Sequence, residues 1–453
     1  MMSPLSVAQF LTPGQLHFDL VIMDEASQIK PEEAVGAIAR GSQFVVVGDP
    51  QQLGPTNYFS RSLETDEQDD DEEEKPDIGH LESILNLGLD VFRPRRRLSW
   101  HYRSRHQSLI AYSNVEFYDN QLHVFPSAID KHPHYGIQFI PVENGLYRPG
   151  KGKGAGVNIP EMELIIECAL AHMKECPDQS LGIVAVNKAQ SDLIREKLEQ
   201  KIAVSNVAQA YSAKWGNTLE PLFVKNLESV QGDERDVIFI STVYGKDTDG
   251  NFFQRFGPIN NAEGHRRLNV LFTRAKNKTV IFSSFTPDMI RISEGTRRGV
   301  RVLKEYLTYS MTGQLPEKNA SSHTPEPSEF SIFVANRLQD MGYEVVIECG
   351  VSGFFIDIAI RHPDYPNSFI LGVECDGWTY HSSKSARDRD RLRQTSLENL
   401  NWKIYRIWST DWFKNPQQEM SKLLTHIENL RKLSPQLTKF PQDTREESLS
   451  AAS

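Results

Sequence analysis

Short apolar runs closed by polar residues recur along the chain. Residues 19–24 (Asp-Leu-Val-Ile-Met-Asp) and 43–48 (Gln-Phe-Val-Val-Val-Gly) have this form, which predicts buried parallel strands whose C-terminal ends present chemistry. Between them, Pro31, Glu32 and Glu33 open a predicted helix that runs to Arg40. Proline gives up only an N–H that the first turn leaves unused, and the acids suit the positive helix end. A second series follows, with helices expected over 161–174 and 188–200 and strands over 181–186, 236–243 and 278–284. Alternation of this kind implies a doubly wound α/β sheet.

Residues 311–328 are polar and contain proline and serine, as a linker does. Beyond it the order changes to helix 329–341, strands near 344–349, 354–361 and 369–375, helix 384–400, strand 403–408 and helix 416–432. This αβββαβ pattern is a separate domain of about 100 residues. The tail from Ser434 is expected to be disordered.

No apolar run approaches the roughly 18 residues of a membrane span, and no basic-then-apolar leader opens the sequence. Cys168, Cys176, Cys349 and Cys375 lack metal-ligand spacing. So few cysteines suggest reduced thiols, and with the missing membrane signals they give a cytoplasmic expectation. A net charge of −10 argues, as an average, against a polyanion binder. The charge is segregated, however. Glu64 to Glu74 is almost entirely acidic and reads as a solvated loop, whereas Arg93–Arg105 and Lys384–Arg393 are rich in arginine.

Asp24-Glu25-Ala26-Ser27-Gln28 ends the first predicted strand. Adjacent carboxylates there can divide the work of phosphoryl transfer, Asp24 holding Mg²⁺ and Glu25 orienting water. The next strand ends in Gly48-Asp49-Pro50-Gln51-Gln52-Leu53, where a γ-phosphate sensor belongs. Tyr102-Arg103-Ser104, Val230-Gln231-Gly232-Asp233-Glu234 and Thr273-Arg274-Ala275 complete the set. Any one fragment could be a helix cap or a solvated charged face. Together, in this order, they resemble superfamily 1 helicases over about residues 1–300, where DEAxQ, GDxxQL, YRS, VQGxE and TRA are motifs II to VI.

That resemblance implies two RecA-like lobes that bind ATP and travel along single-stranded nucleic acid. Residues 1–92 would form the later part of lobe 1, with an acidic loop at 60–77, and 93–310 would form lobe 2. Asp24 and Glu25 would serve metal and water, and Gln28, Gly48, Asp49 and Gln52 would face the nucleotide. Arg103 and Arg274 would be arginine fingers, with Gln231, Gly232 and Glu234 coupling ATP to the strand. Arg95, Arg96 and Arg97, with Trp100 and His101, would line the nucleic-acid path. Trp100 reads equally well as core.

One departure is large. These helicases need G-x-x-x-x-G-K-[ST] upstream of motif II to bind the β- and γ-phosphates, and the sequence contains none. Gly150-Lys151-Gly152-Lys153-Gly154-Ala155-Gly156 lacks both the glycine spacing and the hydroxyl residue. The expectation is a motor that works only if another segment or polypeptide supplies that loop.

In the second domain (328–433, after a linker at 311–327), Asp357 lies in an apolar strand and Glu374-Cys375-Asp376 closes the next. With a two-residue period Glu374 and Asp376 share a face, and a hairpin would bring three carboxylates together, suiting Mg²⁺. The layout resembles the PD-(D/E)xK nuclease fold, in the branch related to very-short-patch-repair endonucleases, over about 328–414. The resemblance implies that Asp357 and Glu374 hold metal, with Glu329 in support. Asp376 occupies the usual lysine position, and His381 would act as general base or acid. Arg387 and Arg391, one helical turn apart, would contact backbone phosphate, or belong to a salt-bridged exposed helix. Trp402, Trp408 and Trp412 read as core.

The expected whole is a Mg²⁺-dependent DNA endonuclease joined to ATP-dependent helicase motifs, active in repair or in defence against foreign DNA. A non-catalytic nucleic-acid-binding remnant and an RNA-directed relative are the alternatives.

Overall fold

The apolar runs become strands of three main sheets in a computed structural model, which describes residues 1–55, 83–129, 133–150, 154–316, 326–351, 354–376, 393–398 and 400–433. Glu64–Glu74, His381, Arg387, Arg391 and the tail from Ser434 lie outside the described residues, as does the side chain of Asp376.

The chain divides into two compact units. The first holds Met1–Ser99, Ser108–Asn120 and Ile137–Lys318, and the second holds Trp100–Gln107, Gln121–Gly136 and Asn319–Ser453. Two stretches that motif order assigns to the helicase region, Trp100–Gln107 and Gln121–Gly136, group with the nuclease-like domain.

In the first unit β1 (Val21–Met23) pairs in parallel with β2 (Phe44–Val46). Ile22 and Val45 of this small sheet, and Leu20 just before it, are exposed. A five-stranded sheet has the order β3-β9-β8-β6-β7, formed by Gly136–Pro141, Ala275–Ser283, Arg235–Ser241, Leu181–Ala185 and Phe223–Asn226. β6 pairs in parallel with β7 and β8, and β8 in parallel with β9. Ile183, Ile238 and Ile281 are buried, as strands covered by helices on both faces must be. A short hairpin of β4 (Tyr147–Arg148) and β5 (Val157–Asn158) precedes the sheet's first long helix.

That helix, Ile159–Glu175, and its successor Lys188–Ala203 start where Asn158 and Asn187 accept from the backbone N–H of Glu161 and Gln190, satisfying first-turn donors. At the same corner the carboxylate of Glu161 accepts from Ser241 Oγ (2.5 Å), Val243 N (2.8 Å) and Ser284 Oγ (3.1 Å). Val243 stands at φ 69°, a costly conformation for a β-branched residue, and the bond to its N–H helps to hold it. Burial raises the pKa of Glu161 to about 7 despite the three donors. The folded pKa exceeds the ordinary 4.5, so between these values the folded chain holds more protons than the unfolded one. Stability therefore falls as pH rises across that window, by up to about 3 kcal/mol, and is flat above it. Glu161→Gln is expected to flatten the slope, which melting temperatures at pH 5 and pH 8 check. An unaltered slope would place the titration elsewhere.

In the second unit β10 (Val345–Val351), β11 (Phe354–His362), β12 (Tyr365–Asp376) and β13 (Ile404–Trp408) lie side by side in that order. The first three are antiparallel, and β13 runs parallel to β12. Helices Glu329–Asp340, Ser409–Lys414 and Pro416–Leu433 pack Val334, Leu338, Trp412, Leu423 and Ile427 against Ile358, Leu371 and Val373. A separate apolar cluster joins Ile356, Ala359, Phe369 and Trp402 with Phe125 and Ala128. Trp402 and Trp412 are core as expected, whereas Trp408 is exposed at the end of β13. Residues 393–398 of the long helix expected over 384–400 are described, and they are helical.

Candidate active sites

In the first unit, β1 delivers Asp24 and Glu25 to the turn after its C-terminal end. Glu25 takes a left-handed conformation (φ 51°) and caps a short 3₁₀ turn, Ala26–Gln28. Its N–H donates to Asp24 Oδ1 at 2.9 Å, and Gln28 Nε2 donates to Glu25 Oε2 at 3.3 Å. All three side chains are exposed, so the carboxylates keep their access to solvent and solutes. Gly48, after β2, lies so close to this turn that a Cβ would stand 3.1 Å from the N atoms of Ala26 and Ser27. Glycine therefore lets the two strand ends meet.

Asp49 connects this end to a distant part of the sequence. It accepts from Gln51 N (2.8 Å), Gln52 Nε2 (3.2 Å) and Tyr118 Oη (2.7 Å). Asn269 Nδ2, on helix Gly264–Phe272, donates to Tyr118 Oη (3.0 Å) and to Gln51 O (3.1 Å). Burial and the Asp49 charge push the Tyr118 phenol well above its ordinary range, keeping it a neutral donor. Tyr118 and Asn269 were not foreseen, because each carries one polar group inside an apolar stretch and sits far from its partner in sequence.

Gly232 has φ +86° in the loop before β8. Gln231 beside it has a buried Nε2 without a hydrogen-bond partner, and Glu234 pairs with Lys276 at 3.5 Å. Arg274 is buried. Its guanidinium donates to Val270 O (2.7 Å), Thr273 Oγ1 (3.1 Å) and Asp233 O (3.4 Å). Arg274 is thus folded onto its own loop and joins the VQGxE and TRA segments. Arg95, Arg96 and Arg97 are exposed, and Arg95 donates to Leu89 O.

Arg103 belongs to the second unit. Burial and the Arg103 charge lower the pKa of His101 to about 4. A neutral His101 fits the geometry, since its Nε2 accepts from Ser104 N at 3.1 Å and lies 2.8 Å from Ser104 Oγ. Trp100, partly exposed, sets its ring edge against Phe125 with centroids 5.4 Å apart.

The nuclease-like sheet carries a row of charges across its four strands. The pairings Ile347↔Ile358 and Cys349↔Ile356 set Glu348 opposite Asp357. Ile358↔Val373 sets Asp357 opposite Glu374, and Glu374 pairs with Arg406. Asp357 Oδ2 accepts from Cys375 N at 2.7 Å. Burial raises the pKa of Asp357, with the Glu374 charge adding to it against the Cys375 bond and Arg393. Glu348, at φ 50°, has a carboxyl raised to about 7 by burial and then by Asp357. Glu374 is buried between Arg406 Nη2 (2.9 Å) and Arg393 Nη2 (3.2 Å). Glu348, Asp357, Cys375 and Arg393 line a cleft of about 390 Å³ together with Glu326, Ser328, Phe354 and Phe355. Glu329 is exposed at the start of its helix.

Glu348 and Arg406 were missed by sequence reasoning. They flank the Asp357–Glu374 pair one strand out on either side, a placement that only the strand pairings reveal. As donors, the carboxylates of this row match what Mg²⁺ requires. Among the described residues, no three His, Cys, Asp or Glu side chains close around one point, and Glu374 faces two guanidinium groups. A cation would bind at Asp357 and draw on Glu374 in competition with Arg393.

Two families described as AAA domain match residues 5–60 and 82–286, and the family REase_MTES_1575 matches 330–427. An uncharacterised ATP-dependent helicase of Mycoplasma pneumoniae is 28% identical over 443 residues, 93% of this chain and 38% of its own length. Its counterpart in Mycoplasma genitalium is 29% identical over 440 residues, with the same shares of each chain covered. A DNA replication ATP-dependent helicase/nuclease of Saccharomyces cerevisiae is 24% identical over 312 residues, covering 60% of this chain and 18% of that protein. The chain therefore spans less than half the length of these relatives. With matches running through both units, the chain carries AAA-type helicase domains followed by a restriction-endonuclease-like domain, and in this order it is similar to superfamily 1 helicases.

Proposed function

We propose that the chain supplies helicase motifs and a metal-dependent nuclease to an ATP-driven enzyme that processes DNA in repair or in defence against foreign DNA. The observation that carries the nuclease reading is the cross-strand row Glu348–Asp357–Glu374 on a restriction-endonuclease-like sheet, with Glu374 buried and the other two partly buried. Asp357 and Glu374 would hold Mg²⁺, which when bound polarises the scissile phosphate and favours ionised water. Cys375 N orients Asp357, and Arg406 with Arg393 holds Glu374 in place. His381 would move the proton of the attacking water, Asp376 would stand in the usual lysine position, and Arg387 and Arg391 would hold backbone phosphates. The likeness to the Saccharomyces DNA replication helicase/nuclease favours DNA over RNA.

In the motor part, Asp24 would hold the Mg²⁺ of ATP, Glu25 would position water, and Asp49 and Gln52 would register the γ-phosphate. Arg103 and Arg274 would stabilise charge developing in transfer. For Arg274 this requires release from the Val270 and Asp233 carbonyls. A phosphate loop from another segment would complete the site, and the exposed Ile22 and Val45 on β1–β2, with Leu20 just before β1, support a further strand there. That none of Cys168, Cys176, Cys349 and Cys375 is in a disulfide supports work in a reducing cytoplasm.

The engagement of Glu374 by two arginines favours a second reading, a nucleic-acid-gripping remnant without catalysis. Nicking of supercoiled plasmid decides between them. The nuclease reading expects nicks with Mg²⁺ or Mn²⁺ but without ATP, abolished by chelation and by Glu374→Ala. Equal inertness of wild type and variant would leave only the remnant.

A further inference from the structure

The helicase-family match spans 82–286 without a break, yet residues 121–129 are built into the nuclease-like unit. Phe125 and Ala128 are 5% and 3% exposed and pack with Ile356, Ala359, Phe369, Leu397 and Trp402. The Phe125 and Phe354 rings stand 4.2 Å apart. Three links to its backbone fix the register. Trp402 Nε1 donates to Pro126 O at 2.8 Å in a buried setting, Phe369 N donates to Ala128 O at 2.8 Å, and Ile129 bridges Ser368 in antiparallel fashion. The preceding stretch joins the same unit through His106 Nε2, 3.1 Å from Ile129 O, and His101 N, which donates to His123 O at 3.3 Å.

Between these stretches runs helix Ser108–Phe117, which belongs to the other unit. It is anchored there by Tyr112 Oη on Val302 O (3.2 Å) and by Tyr309 Oη on Ser108 O (3.0 Å). Both ends of one helicase helix are thus covalently continuous with segments of the nuclease fold. Phe369, the residue tied to Ala128, lies on the strand that carries Glu374 five positions later.

We propose that residues 121–129 form an indispensable wall of the nuclease fold, through which displacement of helix Ser108–Phe117 reaches strand β12 and its Glu374. The apolar residues of β11 and β12 on that side need a cover, and this segment supplies it with matched donors and acceptors. A helicase that moves this helix during its cycle thereby alters the order of the nuclease strand. The argument rests on packing and connectivity, so it stands whether or not the row cuts DNA.

Hydrogen exchange of amides in the full chain tests it. Phe125→Ala is expected to speed exchange across 354–376 about tenfold or more, because the residue is buried and its removal leaves a cavity, while 181–185 and 235–241 keep their protection. Trp402→Phe keeps a ring but removes the donor to Pro126, and is expected to speed exchange in 121–129 severalfold while 416–433 is unaffected. If Phe125→Ala fails to fold, the Trp402→Phe result decides. Unchanged exchange in 354–376 for the first variant, or in 121–129 for the second, overturns the proposal.

Discussion

Asp357→Asn is expected to lower metal-dependent DNA cleavage by about three orders of magnitude while leaving the fold in place. The side chain is largely buried on β11, opposite Glu374, and its Oδ2 already accepts from Cys375 N at 2.7 Å. Asparagine keeps the volume and an oxygen for that bond, so the hairpin loses no hydrogen bond. It removes the negative charge that would hold a divalent cation. A lost metal contact of about 4 kcal/mol in the transition state corresponds to about a thousandfold in rate. Burial raises the pKa of Asp357, so the fold tolerates its neutral form better than its charged one, and stability should be equal or slightly higher. Initial nicking rates and urea unfolding of the same preparation separate the two effects. A rate within tenfold of wild type would remove Asp357 from the chemistry.

Trp402→Ala is expected to destabilise the nuclease-like unit by about 3–5 kcal/mol. Trp402 is 1% exposed, stacks on Phe369 with centroids 5.3 Å apart, and donates to Pro126 O. Truncation opens a cavity and leaves that carbonyl without its buried donor. Trp408, 37% exposed with the Arg406 guanidinium over its ring at 5.9 Å, gives the contrast. Trp408→Ala should cost under about 1 kcal/mol. Denaturant titrations check both, and equal losses would contradict the assignment of core and surface.

The contrast between these tryptophans shows where sequence reading reaches its limit. Trp402, Trp408 and Trp412 look alike in composition, and only strand pairing and the following helix decide that one of them faces outward. Where periodicity is strong it suffices. The runs at 181–186 and 236–243 became β6 and β8, and the first helix, the four strands and the last helix after residue 328 were foreseen, whereas the short helix Ser409–Lys414 was not. The pairing of Asp357 with Glu374 followed from the side-chain period of a hairpin. Glu348 did not, because its left-handed backbone interrupts the regular alternation of β10. Arg406 required knowing that β13 runs beside β12. The link from Asp49 through Tyr118 to Asn269 joins residues up to 220 positions apart (269 − 49), and no local pattern encodes it. Residues 121–129 carry no periodicity and acquire meaning only from the sheet they cover.

The account turns on whether Asp357 and Glu374 take a divalent cation, which a Mn²⁺ titration of the full chain followed by the paramagnetic resonance of the free ion measures directly. An Asp24→Asn background removes the motor's own metal acid, so that the count reports the nuclease row. The account predicts one bound Mn²⁺ per chain in that background, with affinity at least tenfold weaker when Asp357→Asn is added. The same stoichiometry and affinity with and without Asp357 would contradict it.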